Sequence, residues 1–146
     1  MKVKSRTNQA KRIFSCPVEA AQDVIGGKWK PIILWHLHAA KGPCRFGVLR
    51  RAIPNATEKM IVQQLRELES TGIIQRKVFR EVPPRVEYSL TEDGEDLRAA
   101  LEEVCDWGVR YAQRIGAQIR NNLPPAEGTP RAPRMPRAPA SEKRDW

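Results

Sequence analysis

The sequence lacks any apolar run long enough to cross a membrane. A membrane-spanning helix needs about 20 consecutive apolar residues, and none of the hydrophobic stretches approaches that length. The N-terminal region also lacks the hydrophobic segment that is typical of a secretory signal peptide. Together these absences predict a cytoplasmic protein with no membrane partner.

Cysteine and histidine are scarce, with three cysteines and two histidines in 146 residues. Cys16, Cys44 and Cys105 lie far apart and form neither a zinc-site spacing nor a CxxC motif. His36 and His38 are two positions apart, so a helix would direct them to different faces. The sequence also shows no recognisable nucleophile and base pair. We therefore expect no metal, no cofactor and no enzymatic activity.

Positive charge is in excess, and it is distributed unevenly along the chain. The formal net charge is +9, but residues 1–12 carry five basic side chains and no acidic one, whereas residues 13–123 carry only two more basic than acidic side chains. We predict a flexible basic arm over residues 1–15. Such an arm either attracts phosphates or only keeps the protein soluble.

Proline is concentrated at the other end, where residues 124–146 hold six of the twelve prolines. Four of these prolines recur at every third position from Pro130 to Pro139, and arginines follow three of them. This composition predicts a disordered Pro/Arg-rich tail over residues 121–146. The expected organisation is thus an arm, one domain over residues 16–120, and a tail.

The stretch from Arg45 to Leu90 predicts a short helix, a turn at Pro54, a longer helix, and a β-hairpin. This order is typical of a winged helix-turn-helix nucleic-acid-binding domain. The predicted fold class is therefore α+β: mainly α-helical, with a small β-hairpin as the wing.

The longer helix is predicted to begin after Thr57, whose hydroxyl suits a helix N-cap, and to end at Gly72. Ile61, Leu65 and Leu68 share one face and are expected to pack inward. The opposite face carries Lys59, Gln63 and Arg66. Glutamine and arginine can pair bidentately with base edges, so these three are the candidates for base contacts. The competing interpretation is the solvated face of an ordinary core helix.

Four more arginines are candidates for contacts with the DNA backbone or a narrow minor groove. Arg50 and Arg51 belong to the predicted short helix, and Arg80 and Arg85 flank the tip of the hairpin at Pro83. Surface charge without a ligand is the alternative for the hairpin pair.

A final helix is predicted after Thr91, with acidic residues in its first turn. Its apolar residues follow a heptad pattern that can pair with a second subunit or pack within the same chain. We favour a homodimer, because so small a domain leaves little core for such a long stripe. The predicted interface residues are Leu97, Leu101, Val104, Trp107, Tyr111 and Ile115.

The sequence resembles the HxlR-type family of bacterial winged helix-turn-helix transcriptional regulators. The resemblance covers about two thirds of the chain, and the combination of its segments is specific. The segments are CPVEAAQDVIGGKWKPIIL (16–34), RFGVLRRAIP (45–54), QQLRELESTGIIQR (63–76), VPPRVEYSLTEDG (82–94) and CDWG (105–108).

This resemblance implies a homodimer that is joined through its first and last helices and binds a pseudo-palindromic operator. Some members sense electrophiles or oxidants through a cysteine near the start of the domain, where Cys16 stands here. Cys16 precedes Pro17 at a predicted helix N-terminus, an environment that lowers a thiol pKa. It is therefore the candidate redox-sensing residue for a small electrophile or oxidant. The alternative role is packing at the dimer interface.

The leading functional hypothesis is a sequence-specific regulator of transcription that binds double-stranded DNA. A winged-helix protein-interaction module without specific DNA binding is the main alternative. An RNA-binding winged helix is disfavoured, because the nine aromatic residues leave no evident surface on which single-stranded bases could stack.

Overall fold

A computed structural model of the protein describes residues 12–120. It contains five helices and three strands, and its fold is the predicted winged helix-turn-helix. The elements are α1 (Pro17–Ile25), α2 (Trp29–Ala39), β1 (Cys44–Arg45), α3 (Phe46–Ala52), α4 (Glu58–Ser70), β2 (Ile74–Phe79), β3 (Arg85–Leu90) and α5 (Glu92–Arg114). Most of the predicted arm and the whole Pro/Arg-rich tail lie outside the described residues.

Helix α4 has the predicted ends. The Thr57 side chain accepts a hydrogen bond from the backbone N–H of Met60 at 3.2 Å, which caps the first turn. At the other end Gly72 has a φ of +78°, and the N–H of Ile73 donates to the carbonyl of Leu68 at 3.2 Å. This closure needs the left-handed conformation that glycine adopts without strain.

The core is formed by one face of each of several elements around α4. Ile61, Leu65 and Leu68 are at most 1% exposed, as their spacing predicted. Full burial of a side chain of this size stabilises the folded state by about 1.5–3 kcal/mol. They pack with Ile33 and Leu34 of α2, which runs beneath α4. The core thereby holds α4 with its opposite face outward.

The wing is an antiparallel hairpin of β2 and β3, and a short third strand extends it. In the sheet order β1-β3-β2, Cys44 pairs with Tyr88 and Arg76 pairs with the same Tyr88 from the other side. Strand β1 was not predicted from the sequence. A strand of two residues is too short to produce an alternating pattern in the sequence, so only its pairing reveals it.

Helix α5 follows the wing without a loop. The Thr91 hydroxyl accepts a hydrogen bond from the N–H of Gly94 at 3.2 Å and lies 3.0 Å from the Ile73 carbonyl, to which it can donate. One side chain thus caps α5 and ties its start to the residues that follow α4. The relative position of α4, the wing and α5 is fixed at this junction.

Candidate nucleic-acid interface

The outward face of α4 carries the three predicted base-contacting residues. Lys59, Gln63 and Arg66 are exposed and lie opposite the buried leucine and isoleucine positions. A helix of 13 residues is about 20 Å long, and a major groove about 12 Å wide admits a helix of this diameter. The geometry permits α4 to lie in such a groove with these side chains towards the bases.

Gln63 is already engaged in the structure. Its Nε2 donates a hydrogen bond to Oε1 of Glu67 at 3.0 Å, and Oε2 of Glu67 lies 2.5 Å from Nζ of Lys30. The hydrogen bond from Gln63 and then the interactions with Lys30 hold the pKa of the Glu67 carboxyl below its usual value. Glu67 is therefore ionised at neutral pH.

An open groove of about 620 Å³ separates α4 from the wing. Arg66 and Glu69 of α4 lie on one side, and Arg45 and Arg76 of the sheet contribute two more positive charges to a lining that also contains Glu81. The predicted site did not include Arg45 or Arg76. These two arginines lie on β1 and β2, which pair with β3 from opposite sides. The sequence alone does not reveal this strand pairing.

The two predicted wing arginines differ in their surroundings. Arg85 is stacked over the Phe79 ring at 3.9 Å and lies 3.3 Å from Glu81 and 3.5 Å from Glu87. Its charge is therefore largely compensated within the wing. Arg80 is exposed and, among residues 12–120, has no ion-pair partner. Arg80 is thus the more available of the two for a phosphate.

Arg50 and Arg51 lie in the last turn of α3, close to the N-terminus of α4. Together with Thr57 they line a shallow groove of about 540 Å³. Nη1 of Arg50 is 3.3 Å from the carboxylate of Glu58, whereas Arg51 is exposed. Both positions suit contacts with the DNA backbone beside α4.

The three cysteines are free and have different environments. Cys44 is buried, and burial raises the pKa of its thiol. Cys105 is half-buried, and burial followed by the nearby Asp106 and Glu102 carboxylates raises the pKa of its thiol. Cys16 is exposed at the N-cap of α1. Of the three, Cys16 is the most accessible to a reagent in solution.

The predicted dimer residues of α5 divide between two faces. Leu101 is only 4% exposed and belongs to the domain's own core, so its assignment to the dimer surface is wrong. Leu97 is partly buried against that core, and its place in a dimer surface stays a prediction. Val104, Trp107, Tyr111 and Ile115 remain 42–62% exposed.

Helix α1 packs against the core only through its C-terminal end, at Val24 and Ile25. It has no fully buried residue, and Val18 is 66% exposed. Arg12 pairs with Asp23 through two 2.6 Å contacts, so the last residue of the basic segment is bound to this helix. The molecule therefore carries apolar surface on its first and last helices that its own core does not cover.

Two classes of site are missing from residues 12–120. No three histidine, cysteine, aspartate or glutamate side chains within this range lie together as a metal site would require. Nor is any helix of the described part long and apolar enough to cross a membrane.

Comparison with known proteins decides the family. The family model described as HxlR-like helix-turn-helix matches residues 24–116, which is more than half of the chain. The chain belongs to this family.

Curated relatives of this HxlR-type protein are named as transcriptional regulators. The uncharacterised HTH-type transcriptional regulator YkvN of Bacillus subtilis is 52% identical over 105 residues, which cover 72% of this chain and 87% of the relative. A solved structure of the redox regulator HypR in its reduced form is 44% identical, covers 69% of this chain and 98% of that chain, and has a TM-score of 0.64. The diamide-treated YodB of B. subtilis is 35% identical with a TM-score of 0.52 and covers 66% of this chain and 94% of that one. The HxlR-type chain is accordingly a DNA-binding transcriptional regulator of the helix-turn-helix class.

Proposed function

We propose that this HxlR-type regulator acts as a homodimer on a pseudo-palindromic operator, with one α4 in the major groove of each half-site. Two-fold symmetry would then place the half-site centres about 34–36 Å apart, or at a multiple of that distance. The observation that carries the proposal is the exposed polar face of α4 beside a groove lined by Arg45, Arg66 and Arg76.

Base and backbone contacts are assigned by exposure and charge. Gln63 and Arg66 lie where they would meet base edges, and Lys59 lies nearer the helix N-terminus on the same face. Arg50, Arg51 and Arg80 are the backbone contacts, and Arg85 supports the wing through its contacts with Phe79 and two glutamates. Backbone contacts set the position on DNA, whereas base contacts specify the sequence.

The dimer surface is formed by α1 and the C-terminal half of α5. Trp107 and Tyr111 stack with their ring centroids 5.3 Å apart, and this exposed pair lies between Val104 and Ile115. Burying such aromatic side chains against a second copy removes a large apolar area from water. A second subunit placed there would cover the apolar residues that the domain leaves open.

Cys16 is the proposed switch for an oxidant or electrophile. In oxidation by hydrogen peroxide, the thiolate attacks one peroxide oxygen, the O–O bond breaks, sulfur becomes a sulfenic acid, and the hydroxide that leaves takes up a proton from solvent to form water. Cys16 occupies the N-cap position of α1, a helix that has no fully buried residue. Oxidation there would shift α1 at the dimer surface and change the distance between the two recognition helices.

A fluorescence-polarisation titration against DNA from upstream of the protein's own gene and neighbouring genes tests this function. The reduced protein should bind one of these fragments tightly and with strong salt dependence, and hydrogen peroxide should release it. Cys16→Ser should bind equally well and stay bound after peroxide. The matched control Cys105→Ser should still be released.

The possible outcomes separate the two parts of the proposal. Release of Cys16→Ser by peroxide would remove Cys16 from the mechanism and leave the regulator intact. Equal affinity for every fragment and for scrambled DNA would refute sequence-specific regulation and favour a protein-interaction module.

A further inference from the structure

Three side chains from two helices form a connected chain on the surface of α4. Gln63 Nε2 is 3.0 Å from one carboxylate oxygen of Glu67, and Lys30 Nζ is 2.5 Å from the other. We propose that Glu67 and Lys30 are positioning residues that fix the amide of Gln63 in one orientation and thereby determine which base it reads. This inference rests on the proposed function, since it requires Gln63 to face DNA.

A carboxylate fixes an amide in a way that a neutral partner does not. Ionised Glu67 has no proton and can only accept, so the NH₂ group of Gln63 must be the end that faces it. The carbonyl oxygen of Gln63 then faces the opposite direction. Because Gln63 and Glu67 are four residues apart, they are neighbours on one side of α4, and the oxygen is directed across its outward face.

Lys30 holds the carboxylate itself in place. Its side chain is 14% exposed and comes from the start of α2, whose core residues are packed beneath α4. The interaction is therefore made between two helices whose relative position is fixed. Lys30 also compensates the negative charge of Glu67, which would otherwise repel the phosphates of an approaching duplex.

The orientation selects among the bases. In the major groove, adenine N6 and cytosine N4 are hydrogen-bond donors, whereas guanine and thymine present acceptors at O6 and O4. An outward carbonyl oxygen therefore prefers adenine or cytosine. Adenine ranks first, because its N7 can also accept the second amide proton of Gln63.

Glu67→Gln is the sharpest test variant. It keeps the size of the side chain and the ability to hydrogen-bond with Gln63, but a glutamine can donate as well as accept. The Gln63 amide then loses its fixed orientation. Lys30→Met removes the second anchor and should give a weaker form of the same effect. Glu69→Gln is the matched control, since it removes the same charge from α4, and among residues 12–120 the Gln63 side chain hydrogen-bonds to Glu67 and not to Glu69.

The experiment selects binding sites from a random-sequence duplex library and then measures affinity for every single-base variant of the selected site. Gln63→Ala identifies the base pair that Gln63 reads, since only there should discrimination disappear. At that pair the wild type should prefer A·T over G·C by about fivefold or more, as the bidentate contact with adenine N6 and N7 requires. Glu67→Gln should reduce this preference to below about threefold and leave the other positions unchanged, while Glu69→Gln should keep the wild-type preference at the Gln63 position.

The other possible results contradict either the proposed function or this inference. A wild type that selects no sequence overturns the proposed function. A wild type that is specific, with Glu67→Gln discriminating as strongly at the Gln63 position, overturns the inference alone. A preference for a G·C pair at that position overturns it as well. Melting temperatures of the variants at positions 63, 67 and 69, measured in parallel, should lie close together because these positions are on the surface.

Discussion

Arginines on the proposed DNA-binding surface differ in how far carboxylates of the same chain compensate their charge. Arg85 and Arg50 pair with glutamates of the same chain, whereas Arg66 and Arg80 are exposed and unpaired among residues 12–120. A phosphate that approaches a paired arginine must compete with a carboxylate. Arg66 and Arg80 are therefore expected to contribute more to DNA binding than the two paired arginines.

A buried histidine gives a prediction about pH. His36 of α2 is 8% exposed, its Nδ1 has no hydrogen-bond partner among residues 12–120, and burial lowers its pKa. The unfolded chain binds this proton at a higher pH than the folded chain does. The folded state therefore loses stability as pH falls through and below about 6.5, the ordinary histidine pKa.

His36→Phe should therefore weaken the acid sensitivity of the fold. Melting temperatures between pH 7.5 and pH 5.5 should fall less steeply for this variant than for the wild type. His38→Gln is the control and should keep the steeper fall, since His36 is still present. Parallel curves for the wild type and His36→Phe would show that His36 does not cause the loss.

For single residues, the sequence predicted which side chains lie on the outward face of α4 but not which other side chains they contact. The spacing of Ile61, Leu65 and Leu68 was sufficient to assign the outward face of α4, and Gln63 and Glu67 are separated by four residues, a spacing that allows contact. The approach of Lys30 could not be predicted, because it depends on how α2 crosses α4. For the same reason Arg45 and Arg76 were missed beside Arg66.

Among the elements, the junction between α4, the wing and α5 depends on a single hydroxyl. Thr91 accepts from the N–H of Gly94, and the Ile73 carbonyl lies within hydrogen-bond distance of the hydroxyl. Loss of a helix cap costs about 1–2 kcal/mol. Because the wing and α4 share this anchor, loss of the Thr91 cap destabilises both.

Thr91→Ala should lower the melting temperature by about 5–10 °C, as a loss of 1–2 kcal/mol does in a domain of this size. Thr91→Ser retains the hydroxyl and should stay close to the wild type. Differential scanning calorimetry of the three proteins provides the measurement. If the serine variant melts as low as the alanine variant, the methyl group and not the hydroxyl stabilises the junction.

Helix and hairpin boundaries were predictable because they depend on local signals. Thr57, Gly72 and Thr91 all stand at the ends of helices as their chemistry suggested. Strand β1 and the burial of Leu101 were not predictable, since each depends on a contact with a distant part of the chain. A heptad spacing shows which residues share a face but not which partner covers that face.

For the whole molecule, the open face of α5 predicts the assembly. Trp107 is 54% exposed in the single chain, so a charge there is tolerated by the fold but not by an interface. Trp107→Glu should yield a monomer in analytical ultracentrifugation, whereas the wild type should be a dimer. Operator affinity should fall about a hundredfold or more, because two linked recognition helices bind far more tightly than one.

The control for this variant introduces the same charge on another part of α5. Ala99 is exposed and lies away from the apolar residues, so Ala99→Glu should remain a dimer with unchanged affinity. If Trp107→Glu sediments as the wild type does, the dimer surface lies elsewhere on the molecule.

We propose above all that the outward face of α4 reads base edges. The most direct test compares the affinity of two variants for the operator with their affinity for random DNA. Gln63→Ala and Arg66→Ala are titrated against the selected operator and against random DNA of the same length at one salt concentration. We predict that each variant loses about 1–3 kcal/mol on the operator and little on random DNA. An equal loss on both duplexes would show that these side chains contact only the backbone and would contradict the account.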